Sequence, residues 1–345
     1  MRRLMLVLLV LVLAGCSQPK GGAPQAVTAL PHTDFGIPLA DEGKRNLELA
    51  EQLRTLDPCA LIDTAALASY GSPQVSTTPA ITSCTLKVRG PDADLLAQVS
   101  VTVAGHGNSA SAATAQTHRI EGLALPVNAG SVPGSLCGFT VPVGFSPKPA
   151  VREPQSPADP VGYLSVDARF FGDATCDVAK RATASVITAV RDNRIPRRDH
   201  ARIPVPLTDR SPCELTAHLP QGYSVTSFRP GWDPSQCSFG VASAGARIDR
   251  PAVNVTFALQ NPDNVLHPTG GQRVEQIAGH PVLVQEAGGN ACQIVAPVGA
   301  PVASVALTEP PVEPEQHRAV VAVDAQCSVL DDLAPVALDL FGAAR

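Results

Sequence analysis

The five residues D-P-C-A-L at positions 57–61 return as S-P-C-E-L at positions 211–215. A further cysteine follows each segment at a similar distance, at Cys84 in the first half of the chain and at Cys237 in the second. Repetition over this distance fixes the number of structural units before any functional motif is considered. The two segments therefore predict two copies of one domain.

Other landmarks recur in the same order in both halves. They are H-R-I-E at 118–121 with Q-R-V-E at 272–275, P-V-G after Cys137 and after Cys292, S-V-D-A at 165–168 with A-V-D-A at 322–325, and closing cysteines at Cys176 and Cys327. About 135 residues per copy are enough for one independent core. We predict a first domain over residues 43–193 that begins with a leading helix within 43–55, an arginine- and proline-rich linker over 194–210 and a second domain over 211–345.

Hydrophobic periodicity predicts the same elements in each copy. A helical segment follows the P-C-x-L turn, and a stripe of buried-type residues such as Val178, Ala182 and Val186 predicts a closing helix. Alternating β-branched residues predict the strands, which are 83–89, 97–104, 119–127, 137–143 and 163–170 in the first copy and 236–242, 252–259, 273–285, 292–298 and 318–325 in the second. This order indicates an α+β fold of two similar domains, each a mostly antiparallel sheet with an N-terminal helical turn and a C-terminal helix.

Apart from Cys16, the chain has eight cysteines, four at matched places in each copy. Close C-x-x-C pairs, which a metal site prefers, are absent from the sequence, so the pattern favours structural disulfides over metal or a reactive thiol. Duplication and two separate cores leave about three connectivities. The spacing favours one of them, with Cys59 bonded to Cys84, Cys137 to Cys176, Cys213 to Cys237, and Cys292 to Cys327.

The N-terminus has the pattern of an export signal. Two arginines precede an apolar run over residues 4–13, which is about half the length that a membrane-spanning helix needs. The L-A-G-C run that ends at Cys16 resembles the lipobox of bacterial lipoproteins, which implies cleavage before Cys16 and its acylation; an ordinary secretory signal is the alternative. We expect a signal peptide over 1–15, a flexible tether over 16–42 and a lipid-anchored protein at the extracytoplasmic face of the cell membrane.

The lipobox, the short linker, the opening D-P-C-A-L and the cysteine that follows it together resemble the LprB-like group of actinobacterial envelope lipoproteins. The resemblance covers Cys59 to Cys84 well. It covers Cys213 to Cys237 loosely, because serine replaces the aspartate there. It implies an envelope location. The function of the group is unassigned, so the resemblance supplies no reaction, ligand, cofactor or catalytic residue.

Two sets of matched polar residues are candidate site residues. Asp167 and Asp324 stand at the same place in the last predicted strand, where an aspartate can also cap a helix or pair with an arginine. Arg119 and Arg273 are each followed two residues later by a glutamate. Because side chains alternate along a strand, each arginine and its glutamate are expected to form a surface ion pair.

Two further segments are candidates for contact with a partner. Proline-rich loops around 147–160 and 301–314 stand at matched places, and long loops often carry recognition, although a stiff solvated loop is the alternative. The linker 194–210 is rich in arginine and proline. It needs no role beyond joining the domains, but its arginines could also contact anionic headgroups.

Function is weakly specified by the sequence. The chain contains no nucleophile elbow, H-E-x-x-H helix, Walker loop or dinucleotide fingerprint. Its formal net charge of −5 argues against a nucleic-acid partner. We expect a non-catalytic binding or scaffolding module without cofactor or metal, which contacts the membrane through its anchor and takes an envelope protein or lipid as partner. The alternatives are an unrecognised hydrolase that uses His106 or His118, and a purely structural spacer.

Overall fold

The structure is a computed structural model that describes residues 35–37, 39–77, 81–89, 97–105, 116–130, 134–145, 150–151, 161–198, 204–230, 233–243, 252–303 and 316–342. The predicted signal peptide, Cys16 and most of the predicted tether lie outside the described residues. The same is true of His106 and of most of both proline-rich loops.

The first domain is built on one antiparallel sheet. Its strands are β1 (Ser72–Thr77), β2 (Ser83–Arg89), β3 (Ala97–Ala104), β4 (Thr117–Ile120), β5 (Leu123–Ala129), β6 (Leu136–Gly144), β7 (Ala150–Val151) and β8 (Gly162–Arg169). They are ordered β1-β2-β3-β8-β6-β5-β4, and the short β7 pairs with β6. The last strand of the domain therefore lies in the middle of the sheet.

The second domain repeats this topology. Its strands are β9 (Tyr223–Pro230), β10 (Gln236–Ser243), β11 (Ala252–Gln260), β12 (Gln272–Ile277), β13 (His280–Glu286), β14 (Ala291–Ala303) and β15 (Gln316–Gln326). Read from β9, the order is β9-β10-β11-β15-β14-β13-β12, which follows the first sheet strand for strand apart from β7. The predicted α+β fold with two similar domains is confirmed.

Each domain begins with a short 3₁₀ helix and ends with an α-helix that covers one face of its sheet. The 3₁₀ helices are Thr64–Tyr70 and Pro212–His218, and the closing helices are α2 (Thr175–Arg191) and α4 (Cys327–Phe341). The predicted stripe of α2 is fully buried against the first sheet. A further turn of helix, α3 (Pro262–Val265), follows β11 on the other face of the second sheet. Among the helices that the structure describes, none has both the length and the apolar character needed to span a bilayer.

The two versions of the opening motif form the same side-chain hydrogen bond to the backbone. In D-P-C-A-L, Oδ1 of the buried Asp57 accepts from the backbone N–H of Cys59 over 3.0 Å. In S-P-C-E-L, Oγ of Ser211 accepts from the backbone N–H of Cys213 over 3.2 Å. Aspartate and serine are both good acceptors at the start of a helical turn, so the exchange preserves the geometry. Glu214 completes a capping box in the second copy.

Each domain contains two disulfides within its own fold. They join Cys59 to Cys84, Cys137 to Cys176, Cys213 to Cys237, and Cys292 to Cys327. This is the connectivity that the spacing favoured. In each domain the first bond ties the opening turn to the second strand, and the second bond ties a central strand to the start of the closing helix.

The structure differs from the predicted strands in two places. Residues 119–127 and 273–285 were each predicted as one strand, whereas each region is a hairpin, β4 with β5 and β12 with β13. A glycine at each turn separates the two strands. Strands β1 and β9 were not predicted. Both lie at the edge of a sheet, where only one face is packed and the apolar alternation is weak.

Helix α1 (Asp41–Arg54) lies between the two domains. Its Leu53 belongs to the core of the first domain, and its Leu47 belongs to the core of the second. Phe35 and Ile37 also pack in the second core, although they fall in the segment predicted as a flexible tether, and only 6% and 5% of their surfaces are exposed. The segment from Phe35 to Arg54, which we call the brace, therefore joins the domains.

Candidate functional site

The matched R-x-E sets occupy different places in the two domains. Both hairpins close with a two-residue turn of positive φ, Glu121-Gly122 (49° and 80°) in the first and Ala278-Gly279 (51° and 81°) in the second. These angles define type I′ turns, which fix hairpin register. Glu121 is therefore the structural counterpart of Ala278, not of Glu275. The sequence alignment of 118–121 with 272–275 was wrong by three residues.

This register places Arg119 and Arg273 on opposite faces of their sheets. Counting back from the turns, Arg119 corresponds to Gln276, and Arg273 corresponds to Gln116. The predicted Arg273–Glu275 ion pair is present, and Nη1 of Arg273 also lies 2.8 Å from Oε1 of Glu286. The corresponding prediction for Arg119 is wrong. Because Glu121 lies in the turn, it faces Arg191 instead, at 4.0 Å.

A cleft of about 300 Å³ opens beside β12, the edge strand of the second sheet. Arg273, Glu275 and Ile277, which alternate along β12, form one side of it, and Leu330 and Ala334 of α4 form the other. Val284, Ile294 and the disulfide between Cys292 and Cys327 complete the walls. The side chains at the bottom of the cleft, between the sheet and its closing helix, are thus apolar and buried. Its volume is at the lower end of the range for ligand pockets.

The rim of this cleft is charged. The side chains of Arg273, Glu275 and Glu286 are 49%, 41% and 62% exposed, so their ion pairs are in water and contribute little to stability. Asp331 on α4 is a fourth charged residue of the rim and is exposed. The rim therefore carries three carboxylates and one guanidinium, which pairs with two of them. Glu286 and Asp331 were not proposed as site residues because neither takes part in any repeated motif.

In the first domain, larger side chains occupy the position that corresponds to this cleft. Phe139 stands where the second domain has Ile294 and is completely buried. Its ring packs edge-on against His118, with 6.0 Å between the ring centres, and Ile120 beside them is also buried. Asp331 has a lysine, Lys180, as its counterpart. The acidic rim is therefore a property of the second copy and not a requirement of the fold.

Asp167 and Asp324 do occupy equivalent positions, on the sheet face that points away from the closing helix. Asp167 pairs with Ser100 and Gly138 on the neighbouring strands, and Asp324 pairs with Asn254 and Gln293. Each lies in a row of polar residues across its sheet, in which Thr85 contacts Ser100 and Ser238 contacts Asn254. The two aspartates are in separate domains and do not form one site.

Burial changes the ionisation of both carboxyls. It raises the pKa of Asp167, an effect that the hydrogen bond from Ser165 and the charge of Arg169 partly offset. It also raises the pKa of Asp324, and there the hydrogen bond from Gln293 opposes it. Raised carboxyl pKa values occur at functional sites but also in structural networks. Here the neighbouring groups are those of a polar row and not those of a catalytic pair.

A second cavity, of about 490 Å³, lies beside the root of the second proline-rich loop. It is lined by Asp263 at the start of α3, Pro301 at the end of β14, and Gln316 and His317 at the start of β15, among others. Residues 304–315 of the loop lie outside the described residues. The cavity is open, its lining is a mixture of polar residues and prolines, and we assign no role to it.

One linker arginine, Arg198, binds backbone carbonyl groups of the folded protein. Nε of Arg198 donates to the carbonyl oxygen of Arg54 over 3.1 Å, and its Nη2 donates to that of Ile81. Burial lowers the pKa of Arg198 to about 10, while the charges of Asp57 and Asp233 oppose this. At neutral pH the side chain is still a cation. Arg198 therefore ties the linker to the brace and to the first domain.

A further hydrogen bond joins the domains directly. Oγ1 of Thr82, at the start of β2, donates to Oδ1 of Asp233, just before β10, over 2.9 Å. The same Oδ1 accepts from the backbone N–H and the hydroxyl of Ser235. Nη1 of Arg54 donates to the carbonyl oxygen of Thr208 over 3.1 Å. The contact between the domains is thus both apolar and hydrogen bonded.

The hydrolase alternative rests on His106 or His118. His118 packs against Phe139 under α2, and His106 lies outside the described residues. Within the described ranges, no group of three or more His, Cys, Asp or Glu side chains is arranged to hold a metal ion.

Comparison with known proteins gives no relative. No family model, no curated protein and no solved structure matches the chain.

Proposed function

We propose that this protein is an exported lipoprotein, anchored through Cys16 to the extracytoplasmic face of the cell membrane, and that it acts as a non-catalytic binding module of the envelope. The cleft between β12 and α4 is its binding site. The observation that carries the proposal is the composition of this cleft, which combines buried apolar walls with a charged rim. Sites of this kind bind ligands through apolar contact and use a few polar groups for orientation.

Two other features support this assignment. Disulfides persist in oxidising compartments, and the protein has four of them, which fits an exported protein. The brace packs into the cores of both domains, so the part of the chain that follows the proposed anchor is tied to the domain that carries the cleft.

The binding site is tested by filling the cleft from its mouth. Ile277 is partly exposed there, and Ile277→Trp should place an indole in the cleft without disturbing the core. Gln276→Trp is the matched control, because Gln276 is adjacent but points to the opposite face of β12. The full-length protein, purified in detergent, is used to capture components of solubilised envelope. Wild type and Gln276→Trp should retain the same component, and Ile277→Trp should not.

Either of two results would contradict the proposal. One is that wild type retains nothing, and the other is that Ile277→Trp retains as much as wild type. The anchor is tested separately with Cys16→Ala, which should move the protein from the membrane fraction to the soluble fraction. A variant that stays in the membrane as firmly as wild type would show that Cys16 is not the anchor.

A further inference from the structure

We propose that the free edge of β12 binds an extended peptide segment as an additional strand, and that the segment carries alternating apolar and basic side chains. This inference rests on the proposed function, because it names the occupant of the same cleft. Addition of a strand to an open sheet edge is a common mode of peptide recognition, in which backbone hydrogen bonds give affinity and side-chain pockets give specificity.

The backbone of β12 offers the necessary hydrogen-bonding groups. Because the type I′ turn makes Ile277 and His280 a hydrogen-bonded pair, alternate residues of β12 direct their N–H and C=O groups to β13. Val274 and Gln276 therefore direct theirs outward. The position of Pro281 agrees with this assignment, since it pairs with Gln276 and has no N–H to donate. In the described part of the chain, no strand pairs with β12 on its outer side.

The cleft lies directly behind this edge. Its lining includes Arg273, Glu275 and Ile277, which are the side chains of β12 that face α4. A strand paired with β12 would place every second side chain level with these three. The aliphatic stem of a lysine or arginine at such a position can pack in the cleft beside Ile277 and Leu330, with its charge at the rim. Two binding elements, the open edge and the cleft, would then be occupied by one extended segment.

The charge of the rim selects a basic segment. Glu275, Glu286 and Asp331 outnumber Arg273, and Arg273 already contacts two of the three acids. The surplus of carboxylates lies at the mouth of the cleft, level with these same side chains of an added strand, while the alternate, apolar side chains lie on the opposite face beside Val274. Lysine or arginine at those positions complements the rim, and an acidic residue is repelled.

The two hairpin edges differ on the face that points away from the closing helix. On that face of β4, Arg119 stands beside the outward backbone groups, and a charged residue there disfavours pairing with another chain. Its counterpart on β12 is the uncharged Gln276, and the counterpart of Thr117 is Val274. The side chain of Val274 is 45% exposed, and it is one of two large apolar side chains that the described residues leave exposed. An added strand would cover it.

The test uses an eight-residue peptide of alternating valine and lysine, with blocked ends and a fluorescent label, and the full-length protein in detergent. Val274→Pro removes the outward N–H without removing a bond to β13, and proline is tolerated on edge strands. Thr117→Pro makes the equivalent change on β4. We expect Val274→Pro to weaken peptide binding by at least about tenfold and Thr117→Pro to leave it unchanged. In wild type, the peptide should slow amide hydrogen exchange at Val274 and Gln276.

Several outcomes would overturn the inference. One is that wild type and Val274→Pro bind the peptide equally and that the peptide does not slow amide exchange on β12. A second is that a peptide of alternating valine and glutamate binds as well as the valine and lysine peptide. A third is that dodecylamine binds in the cleft, blocks the peptide, and binds equally well to Val274→Pro. A concentration-dependent dimer that Val274→Pro abolishes would instead make this edge an interface between copies. If an envelope component is captured equally by Val274→Pro and by wild type but is lost with Ile277→Trp, the proposed function stands and only the strand addition fails.

Discussion

Gln293 donates a hydrogen bond from Nε2 to Oδ1 of Asp324 over 2.6 Å. The equivalent aspartate, Asp167, faces Gly138 and has no such donor; its own Oδ1 is buried and has no hydrogen-bond partner among the described residues. A Cβ atom added at Gly138 would overlap this oxygen. The two copies therefore keep the same acid but accommodate it differently. In the second domain a glutamine amide donates to the carboxyl, and in the first domain the carboxyl occupies the space that a side chain at Gly138 would need.

The first prediction is that Gly138→Ala destabilises the first domain by about 1 to 2 kcal/mol, because the Asp167 carboxyl must leave its place above Gly138. Urea unfolding measures the change. In an Asp167→Ala background the overlap no longer exists, so the same substitution should cost less, with a coupling energy above about 0.5 kcal/mol. Equal costs in both backgrounds would show that Asp167 does not depend on the missing side chain.

The second prediction concerns the pH dependence of stability. Burial raises the pKa of Asp167 above the ordinary value of 3.8, so the folded state binds the proton more tightly than the unfolded state does. The free energy of unfolding therefore falls as the pH rises from that value through the folded-state pKa. Asp167→Asn removes this contribution, and its stability relative to wild type should increase with pH between about pH 4 and 7. The exposed Asp173→Asn is the control, and a relative stability of Asp167→Asn that does not change with pH would contradict the argument.

The repeated motifs predicted the fold because each of them reflects a local structural need, such as a hydrogen-bond acceptor in a turn or the alternation of side chains along a strand. The P-C-x-L turn needs an acceptor two residues before the N–H of its cysteine, and Asp57 and Ser211 both supply one. Strands β2 and β3 have the predicted bounds because their alternation is that of strands packed on one face. Disulfide pairing also followed from the sequence, since duplication reduced the number of alternatives.

The candidate site could not be predicted in the same way. Its two sides come from β12 and α4, and their proximity is a consequence of sheet order. The R-x-E letters at Arg119 and Arg273 suggested an equivalence that the type I′ turns exclude. A sharper signal was present in E-G at 121–122 and A-G at 278–279, because a glycine that follows a short strand often marks such a turn. The turn geometry, and not the identity of the arginine and glutamate, determines which residues of the two hairpins correspond.

The third prediction is that each disulfide stabilises its own domain. Replacing Cys292 and Cys327 together by alanine should destabilise the second domain by about 3 to 4 kcal/mol in the chain-entropy model, because a loop of 35 residues is no longer closed. Hydrogen exchange resolves the effect, with faster exchange in β14 and α4 and little change in β6. The paired substitution of Cys137 and Cys176 should give the reverse pattern. Loss of protection in both domains from either pair would show that the two cores unfold as one.

The fourth prediction is that Arg198 holds the linker against the brace and the first domain. Its planar guanidinium reaches the carbonyl oxygens of Arg54 and Ile81 together, and a lysine ammonium cannot reproduce this fork. Arg198→Lys should therefore increase cleavage between the domains under limited proteolysis, even though the charge is retained. The exposed Arg194→Lys is the control, since the partner of Arg194 among the described residues is the nearby Asp192. Equal cleavage of the two variants would leave Arg198 without this role.

The last prediction concerns the brace, in which two leucines of one helix pack in the cores of different domains. Leu47 and Leu53 are 4% and 1% exposed, and Leu53 contacts Gly162 of the first domain. Truncating a buried leucine to alanine costs about 2 to 5 kcal/mol. Leu53→Ala should lower the stability of the first domain. Leu47→Ala should lower that of the second, although α1 precedes the first domain in the chain.

Hydrogen exchange on α2 and α4, the closing helices of the two domains, reports the two effects separately. Faster exchange in α4 with Leu47→Ala and in α2 with Leu53→Ala is the expected pattern. Exposed Glu48→Ala, on the same helix, controls for a change in the helix itself. If Leu47→Ala and Leu53→Ala both act on α2 alone, the helix belongs only to the first domain. The position of the second domain would then depend on the linker and on the bond from Thr82 to Asp233.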